Sequence, residues 1–381
     1  MKACIAVADY YVPGQTFVNR HIEKMFGGNT CVVAGRLNDK RPVDERFFER
    51  RARPVLGDVL KAPVMLPFNL WRYGTERVPF GRARVQLMAW LEEQKPDVIL
   101  SEFGTQGVVL APIAQAAGIP MFTYFRGSDA SSRLREASVR RAYRQMFPRL
   151  TGVVAVSQFL LDNLADKAGV RHDNAHVIPS GVDVRWFAPE AKRPLSALAV
   201  GRMVEKKQPL MTLDAFAEAR KVAPEATLTM VGDGPLLAPL RARVADLGLA
   251  DAVSLPGALP HEQVREIAVT SEIFLQHSLT ADDGNTEGLP TAIQEAMAAA
   301  CVTVSTRHAG IPEAIDEEVT GFLVDERDAG GYTARVVEAF AMPSTQRAAM
   351  GARARDVACE RFDNGKLLTK LEEVLTKAAR G

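Results

Sequence analysis

Two carboxylates eight positions apart bracket the stretch Thr286-Glu287-Gly288-Leu289-Pro290-Thr291-Ala292-Ile293-Gln294-Glu295-Ala296-Met297. Pro290 suits a first helical position, so a helix is expected to start there. The orphan N–H groups and positive dipole end of such a helix receive anions well, a diphosphate among them. Gly288 would let the backbone come close to that ligand. Glu295 would lie roughly 7–8 Å along the helix from its start. One carboxylate at the tip and one further along can hold two hydroxylated groups of a single extended ligand. Read by itself, the pattern is equally that of a surface helix.

A second stretch, Val200-Gly201-Arg202-Met203-Val204-Glu205-Lys206-Lys207-Gln208-Pro209, brings cations. Arg202 can pair bidentately with phosphate oxygens and Lys207 can add a compact charge, unless the loop is simply solvated. The glycines of Val231-Gly232-Asp233-Gly234-Pro235 and Pro256-Gly257 mark further tight loops, the first of which could face a base. Asp282-Asp283 would suit a divalent metal, but no further carboxylate or His stands at ligand spacing. His172 and His176 flank an expected turn, so no metal site is read from them either. A Gly-x-Ser-x-Gly elbow is absent. Arg133, Arg135, Arg140, Arg141, Arg144 and Arg149 are opposed in their segment by Glu136 only. Arg133, Arg140 and Arg144 are expected on one helix face. They are either a solvated surface or a contact for anionic lipid headgroups or a lipid-linked diphosphate; nucleic acid is disfavoured because no basic–aromatic platform accompanies them.

These loops need a scaffold, and 381 residues suggest two or three domains. Short β-branched runs alternate with helical patterns from Ala3–Ala8 to His176–Ile178, and again from Ala197–Val200 to Phe322–Val324. Ser157 is a plausible N-cap for a helix over Gln158–Lys167. The stretch from Pro179 to Pro189 reads as a linker. Two βα series imply an α/β protein of two doubly wound parallel sheets, residues 1–187 and 188–362, with ligands outside the carboxyl ends of the strands in a cleft between them. Leu367, Leu368, Leu371 and Leu375 place an apolar stripe on a final helix over 363–381. Residues 1–187 carry a net charge of +8 and residues 188–381 a net charge of −7, which predicts different partners for the two halves. No apolar run reaches the roughly 20 residues of a spanning helix. Cys4, Cys31, Cys301 and Cys359 are scattered, which excludes a Cys-x-x-Cys zinc site and fits a cytoplasmic protein, at most peripheral to a membrane.

The order Gly201-Arg202, Lys207, Val231 to Pro235, Pro256-Gly257, Glu287-x7-Glu295 and Gly310-Ile311-Pro312-Glu313 resembles the family-4 retaining glycosyltransferases of the GT-B fold. Ser180-Gly181-Val182-Asp183 resembles that family's interdomain signature. Thr280 to Gly288 is similar to the subgroup that builds bacterial exopolysaccharides of the colanic-acid type.

The resemblance implies two Rossmann-like domains and transfer of a hexosyl group, with retention, from a nucleotide-sugar to a saccharide or lipid-linked saccharide. A UDP-sugar is favoured over a GDP-sugar, with no metal and no other cofactor. It implies that Arg202 and Lys207 neutralise the diphosphate and that Glu287 sits beside the transferred sugar. Glu295 would hold the ribose, with Gly288, Leu289 and Pro290, and with Gly232, Gly234 and Gly257, around the donor. Gly14 would approach the diphosphate from the first domain, which also supplies the acceptor site, and the final helix would cross back onto that domain. Where the family carries His-Gly-x-Asp, this chain has Arg126-Gly127-Ser128-Asp129, so the His role does not transfer to Arg126 as it stands, while Arg126 and Asp129 are expected among the donor-binding residues. A non-catalytic nucleotide-sugar-binding scaffold is the alternative. A nicotinamide enzyme is disfavoured because no Gly-x-Gly-x-x-Gly follows the first strand.

Overall fold

The computed structural model describes residues 1–12, 15–37, 46–50 and 55–380, so Gly14 lies outside the described residues. The chain divides into an N-terminal unit, Met1–Pro179 with Leu368–Gly381, and a C-terminal unit, Ser180–Leu367.

In the N-terminal unit seven strands run β1 (Ala3–Tyr10), β2 (Thr30–Leu37), β3 (Phe47–Glu49), β4 (Val98–Glu102), β5 (Met121–Phe125), β6 (Gly152–Ala155) and β7 (Ala175–Val177). All pair in parallel, in the order β3-β2-β1-β4-β5-β6-β7. Helices cover the faces, so β4, β5 and β6 are buried at every residue and consist mostly of apolar side chains. The helices are α1 (Thr16–Lys24), α2 (Leu56–Tyr73), α3 (Gly81–Gln94), α4 (Gly104–Ala117), α5 (Ala137–Met146) and α6 (Gln158–Asn163).

The C-terminal unit repeats the plan with β8 (Ser196–Val200), β9 (Thr227–Val231), β10 (Val253–Gly257), β11 (Ile273–Gln276), β12 (Val302–Thr306) and β13 (Gly321–Val324), in the order β10-β9-β8-β11-β12-β13. Its helices are α7 (Pro209–Val222), α8 (Leu237–Asp246), α9 (His261–Thr270), α10 (Thr291–Ala298), α11 (Ala329–Ala341) and α12 (Ser344–Arg361). Phe216 of α7 and Phe340 of α11 meet edge to face at 5.6 Å within the core. The last helix, α13 (Asn364–Arg380), buries Leu371 and Leu375, and its Glu372 accepts the Phe26 N–H at 2.6 Å.

Chain order reverses direction across each sheet once, between β1 and β4 and between β8 and β11. At such a switch point the loops leaving two adjacent strands diverge and open a crevice for a ligand.

Several elements differ from the sequence expectation. The helix after Leu289 starts at Thr291, because Pro290 has ψ 126 and acts as the residue before the first turn. Ser157 makes no side-chain cap to α6. Arg133 lies in a 3-10 turn ahead of α5, so it does not share that helix with Arg140 and Arg144. Neither β3 nor α2 was legible: β3 has three residues, and Pro63 and Pro67 interrupt the α2 pattern.

Candidate functional site

The crevice of the C-terminal unit is built from the loops after β8, β9, β11 and β12. Gly201 N–H donates to Val231 O at 3.0 Å, Met203 N–H to Asp233 O at 2.9 Å and Gly232 N–H to Gly257 O at 2.9 Å, which laces three loops together. Two glycines make that possible. Gly232 (φ 143) and Gly234 (φ 152) lie where a Cβ would fall 1.8 Å from Gly201 O and 2.5 Å from Met203 O. Across the switch point, Leu279 N–H donates to Lys206 O at 3.0 Å. That bond brings the 277–290 segment against the cationic loop.

The result is a cluster that neither segment forms by itself. Lys206 Nζ lies 3.3 Å and Lys207 Nζ 3.2 Å from Glu287 Oε1. Lys206 also donates to Asn285 Oδ1 at 3.4 Å. Burial opposes ionisation of Glu287, but the charges of Lys207 and Lys206 outweigh it and hold the carboxyl at about 2. Lys207 moves down from the ordinary lysine range: burial and the like charges of Lys206 and Arg202 together exceed the attraction of Glu287. Arg202 itself is exposed. Two lysines are therefore set against one carboxylate, and Arg202 adds a further like charge to Lys207.

Glu287 is held from behind. Its N–H donates to His308 Nε2 at 3.0 Å, which leaves the proton of the neutral imidazole on Nδ1, pointing at Glu326 Oε1 2.6 Å away. Burial lowers the His308 pKa and favours that neutral form. Glu326 in turn accepts the Thr280 N–H at 2.8 Å. Among the described residues no acceptor faces the backbone N–H of Gly288 or Leu289, and no side chain caps α10. These are the groups an incoming phosphate or sugar oxygen would meet. Glu295, further along α10, has His261 Nε2 3.0 Å from its Oε1, and that bond raises the histidine's pKa. Lys206, His261, His308 and Glu326 carried no role in the sequence reading. His308 stands two residues before the Gly310-Ile311-Pro312-Glu313 motif, the one local signal that would have drawn notice.

Arg126 and Asp129 lie in the N-terminal unit, at the carboxyl ends of β4 and β5. Arg126 Nε donates to Glu102 Oε2 at 2.8 Å, and His21 Nδ1 lies 2.6 Å from Glu102 Oε1. The Arg126 guanidinium stacks 3.7 Å from the Tyr124 ring centroid and 4.2 Å from that of Phe17. Burial would raise the pKa of the fully buried Glu102, yet Arg126 and His21 pull it to about 2. Asp129 accepts the N–H groups of Gly104 (2.9 Å), Gly127 (3.0 Å) and Arg126 (3.1 Å), so its carboxylate holds the turn.

Asp282 and Asp283 are exposed, and Asp283 accepts the Asn285 N–H at 2.7 Å. His172 and His176 are bonded to Leu150 O and Asn174 Oδ1 at 3.1 and 2.7 Å. Among the described residues no group of three His, Cys, Asp or Glu side chains is placed to hold a metal ion, and no helix is long and apolar enough to cross a membrane.

Comparison with known proteins agrees with the fold of two parallel sheets. Residues 184–357 match the model of the glycosyl transferases group 1, and residues 32–186 that of Glycosyltransferase Family 4. The chain is 29% identical to WcaL of Escherichia coli strain K12, named as a glycosyltransferase of colanic acid biosynthesis, over 85% of this chain and 81% of that protein. It is also 29% identical to AmsK of Erwinia amylovora, an amylovoran biosynthesis glycosyltransferase, over 75% and 71%. Among solved structures, Anabaena HepE in complex with UDP superposes with a TM-score of 0.77 at 17% identity, covering 99% of this chain and 100% of that one.

Proposed function

We infer the activity from the premise that this chain belongs to the family-4 glycosyltransferases of the GT-B fold, in the subgroup that builds bacterial exopolysaccharides. It moves a hexosyl group, with retention, from a nucleoside diphosphate onto a saccharide or lipid-linked saccharide. The donor sits in the C-terminal unit and the acceptor belongs to the N-terminal unit. The observation that carries this reading is the surplus of positive charge around Glu287.

As the glycosidic bond breaks, charge develops on the leaving diphosphate, and Arg202, Lys206, Lys207 and the open N–H groups ahead of α10 would meet it. Such preorganised donors stabilise the departing group without a metal. Glu287, kept anionic by the two lysines and aimed by His308, stands ready for the oxocarbenium-like sugar. Glu295 supplies the ribose contact, exchanging or sharing its bond to His261.

A ligand screen tests the donor. UDP, the nucleotide held by Anabaena HepE, should raise the unfolding midpoint more than GDP or ADP, and a UDP-sugar should be consumed with release of UDP. A folded chain that responds to no nucleoside diphosphate and turns over no nucleotide-sugar sinks the proposal.

The place of action is a membrane face. On α2 the side chains of Leu56 (76% exposed), Leu60 (72%), Val64 (72%) and Trp71 (66%) line one solvent-facing stripe. Arg141 of α5 donates to Trp71 O at 3.3 Å, and Arg149 lies over the Tyr73 ring at 5.3 Å, so the arginine-rich segment adjoins the apolar stripe. Apolar insertion beside cationic headgroup contacts is how an interfacial helix binds anionic lipid, with about 1 kcal/mol from each surface-proximal arginine. Vesicles containing phosphatidylglycerol should sediment the wild type at low salt and release both Trp71→Glu and the triple variant Arg140→Gln, Arg141→Gln, Arg144→Gln. Equal binding by all three proteins, or none by the wild type, removes this surface.

A further inference from the structure

At the carboxyl ends of β1 and β2 the N-terminal unit holds a cavity of about 740 Å³, lined by Asp9, Arg36, Arg50, Asp58, Arg77 and Gln106 among others. That volume is in the range of small-ligand sites, and its position beside a switch point is where doubly wound sheets bind ligands. Glu76 lines it as well, so three carboxylates stand with three arginines, but they are not all paired with one another. Arg36 takes Asp9 at 2.9 Å, and Asp58 accepts the Arg82 N–H at 3.1 and 3.2 Å, at the start of α3.

Arg50 is different. It donates from Nη2 to the neutral Gln106 Oε1, while its buried Nε meets no partner. Burial, with Arg77's like charge added, pulls its guanidinium down to about 10. No carboxylate among the described residues pairs with it. A desolvated guanidinium without a counter-charge is unfavourable, and an anion entering the cavity relieves it.

We propose that this cavity is a subsite for an anionic group of the saccharide acceptor, a carboxylate or a phosphate, seated on Arg50 with Arg77 contributing a second positive charge; the proposal rests on the glycosyltransferase reading above. Gln106, in the first turn of α4, holds the guanidinium toward the cavity. The subsite thereby selects acceptors already carrying an acidic sugar or a phosphate linkage over neutral ones. The reaction before this one in the assembly sequence would be the one that installs the acidic residue or phosphate.

Titration of the full chain with methyl glucuronide, glucose 1-phosphate and neutral methyl glucoside tests this. One anionic probe should bind at least about tenfold more tightly than the glucoside, the size of a charge-assisted contact. Arg50→Gln should erase the preference and Arg50→Lys should keep part of it. A stronger response to the glucuronide assigns the carboxylate, and a stronger response to the sugar phosphate assigns the phosphate. Arg50→Gln should melt no lower than the wild type, because it removes an uncompensated buried charge. A merely structural Arg50 would instead lower the midpoint. UDP affinity in the same samples separates the two readings: if UDP binds but anionic and neutral probes are indistinguishable, the subsite is wrong and the donor site stands. If an anionic probe binds through Arg50 but no nucleotide-sugar turns over, the subsite stands and the transferase reading falls. Should Arg50→Gln fail to fold, loss of the wild-type preference in high salt is the supporting result, and a preference that ignores salt overturns the proposal.

Discussion

Glu102 in the N-terminal unit and Glu287 in the C-terminal unit are both held at about 2, by the same kind of neighbour and to opposite ends. Glu102 is fully buried between Arg126 and His21, and the guanidinium is itself sealed between aromatic rings. Both oxygens of Glu102 are engaged within the protein, by Arg126 Nε and His21 Nδ1. Glu287 keeps 14% of its side chain exposed and serves two lysines with an exposed arginine on the same loop. There the cations outnumber the carboxylate, which leaves charge for an anionic ligand to balance. A depressed carboxyl pKa thus says only that cations are close; whether the cluster is closed or open to a further anion separates a structural centre from a site.

Substitution at the two carboxylates is the sharpest way to break this comparison. Glu287→Gln should cut turnover roughly 10²–10³-fold or more while the chain stays folded, as loss of a preorganised charge at a reacting centre does. Glu102→Gln should lower unfolding free energy by about 3–5 kcal/mol, because it strands the buried Arg126. Steady-state rates and denaturant titrations on both variants check it. A fully active Glu287→Gln, or an unperturbed Glu102→Gln, erases the distinction.

Smaller effects are expected at the cations. Arg202→Ala and Lys207→Ala should each weaken UDP binding by about 1.5–3 kcal/mol, the worth of a charge-assisted contact. Calorimetry showing unchanged affinity in both would remove the diphosphate clamp.

The pH dependence should be asymmetric. Glu287 stays ionised down to about 2, so acid should not discharge it near neutrality. Lys207 is held below the ordinary lysine range by burial and by its cationic neighbours. UDP affinity should therefore fall as pH rises through that lowered value, and Lys207→Arg should move the alkaline limb upward. An identical limb in both proteins assigns it elsewhere.

The smallest effect should be none. Activity is expected to survive EDTA, since in the proposed site the cationic side chains and the open N–H groups ahead of α10 would meet the diphosphate. Loss restored by manganese or magnesium would promote Asp282 and Asp283 to candidate ligands.

Much of the architecture is written locally in this sequence. Thr227–Val231 and Ile273–Gln276 stand out as short β-branched or aromatic runs ending in polar or Gly-containing loops, and the structure has strands over those same residues. Such signals survive in one dimension because burial on both faces of a parallel sheet demands apolar residues at nearly every position. The helix after Leu289 was equally legible, apart from the one-residue shift at Pro290. By contrast α2 was not, since its two prolines break the pattern and its apolar stripe faces solvent instead of a core.

The sequence by itself determined which residue types stand at the ends of which strands: Arg202 and Lys207 after β8, Glu287 and Glu295 around the start of α10, Arg126 and Asp129 after β5. Tertiary structure decided what they do to one another. The reversal of strand order between β8 and β11 puts Lys206 and Lys207 against Glu287, some 80 positions away. The same kind of reversal between β1 and β4 buries His21, Glu102 and Arg126 together. Arg50 has no sequence signature, and His308 behind Glu287 has only its place two residues before Gly310-Ile311-Pro312-Glu313. Charge pairing and desolvation depend on distance in space and on access of water, and chain position encodes neither until the sheets form.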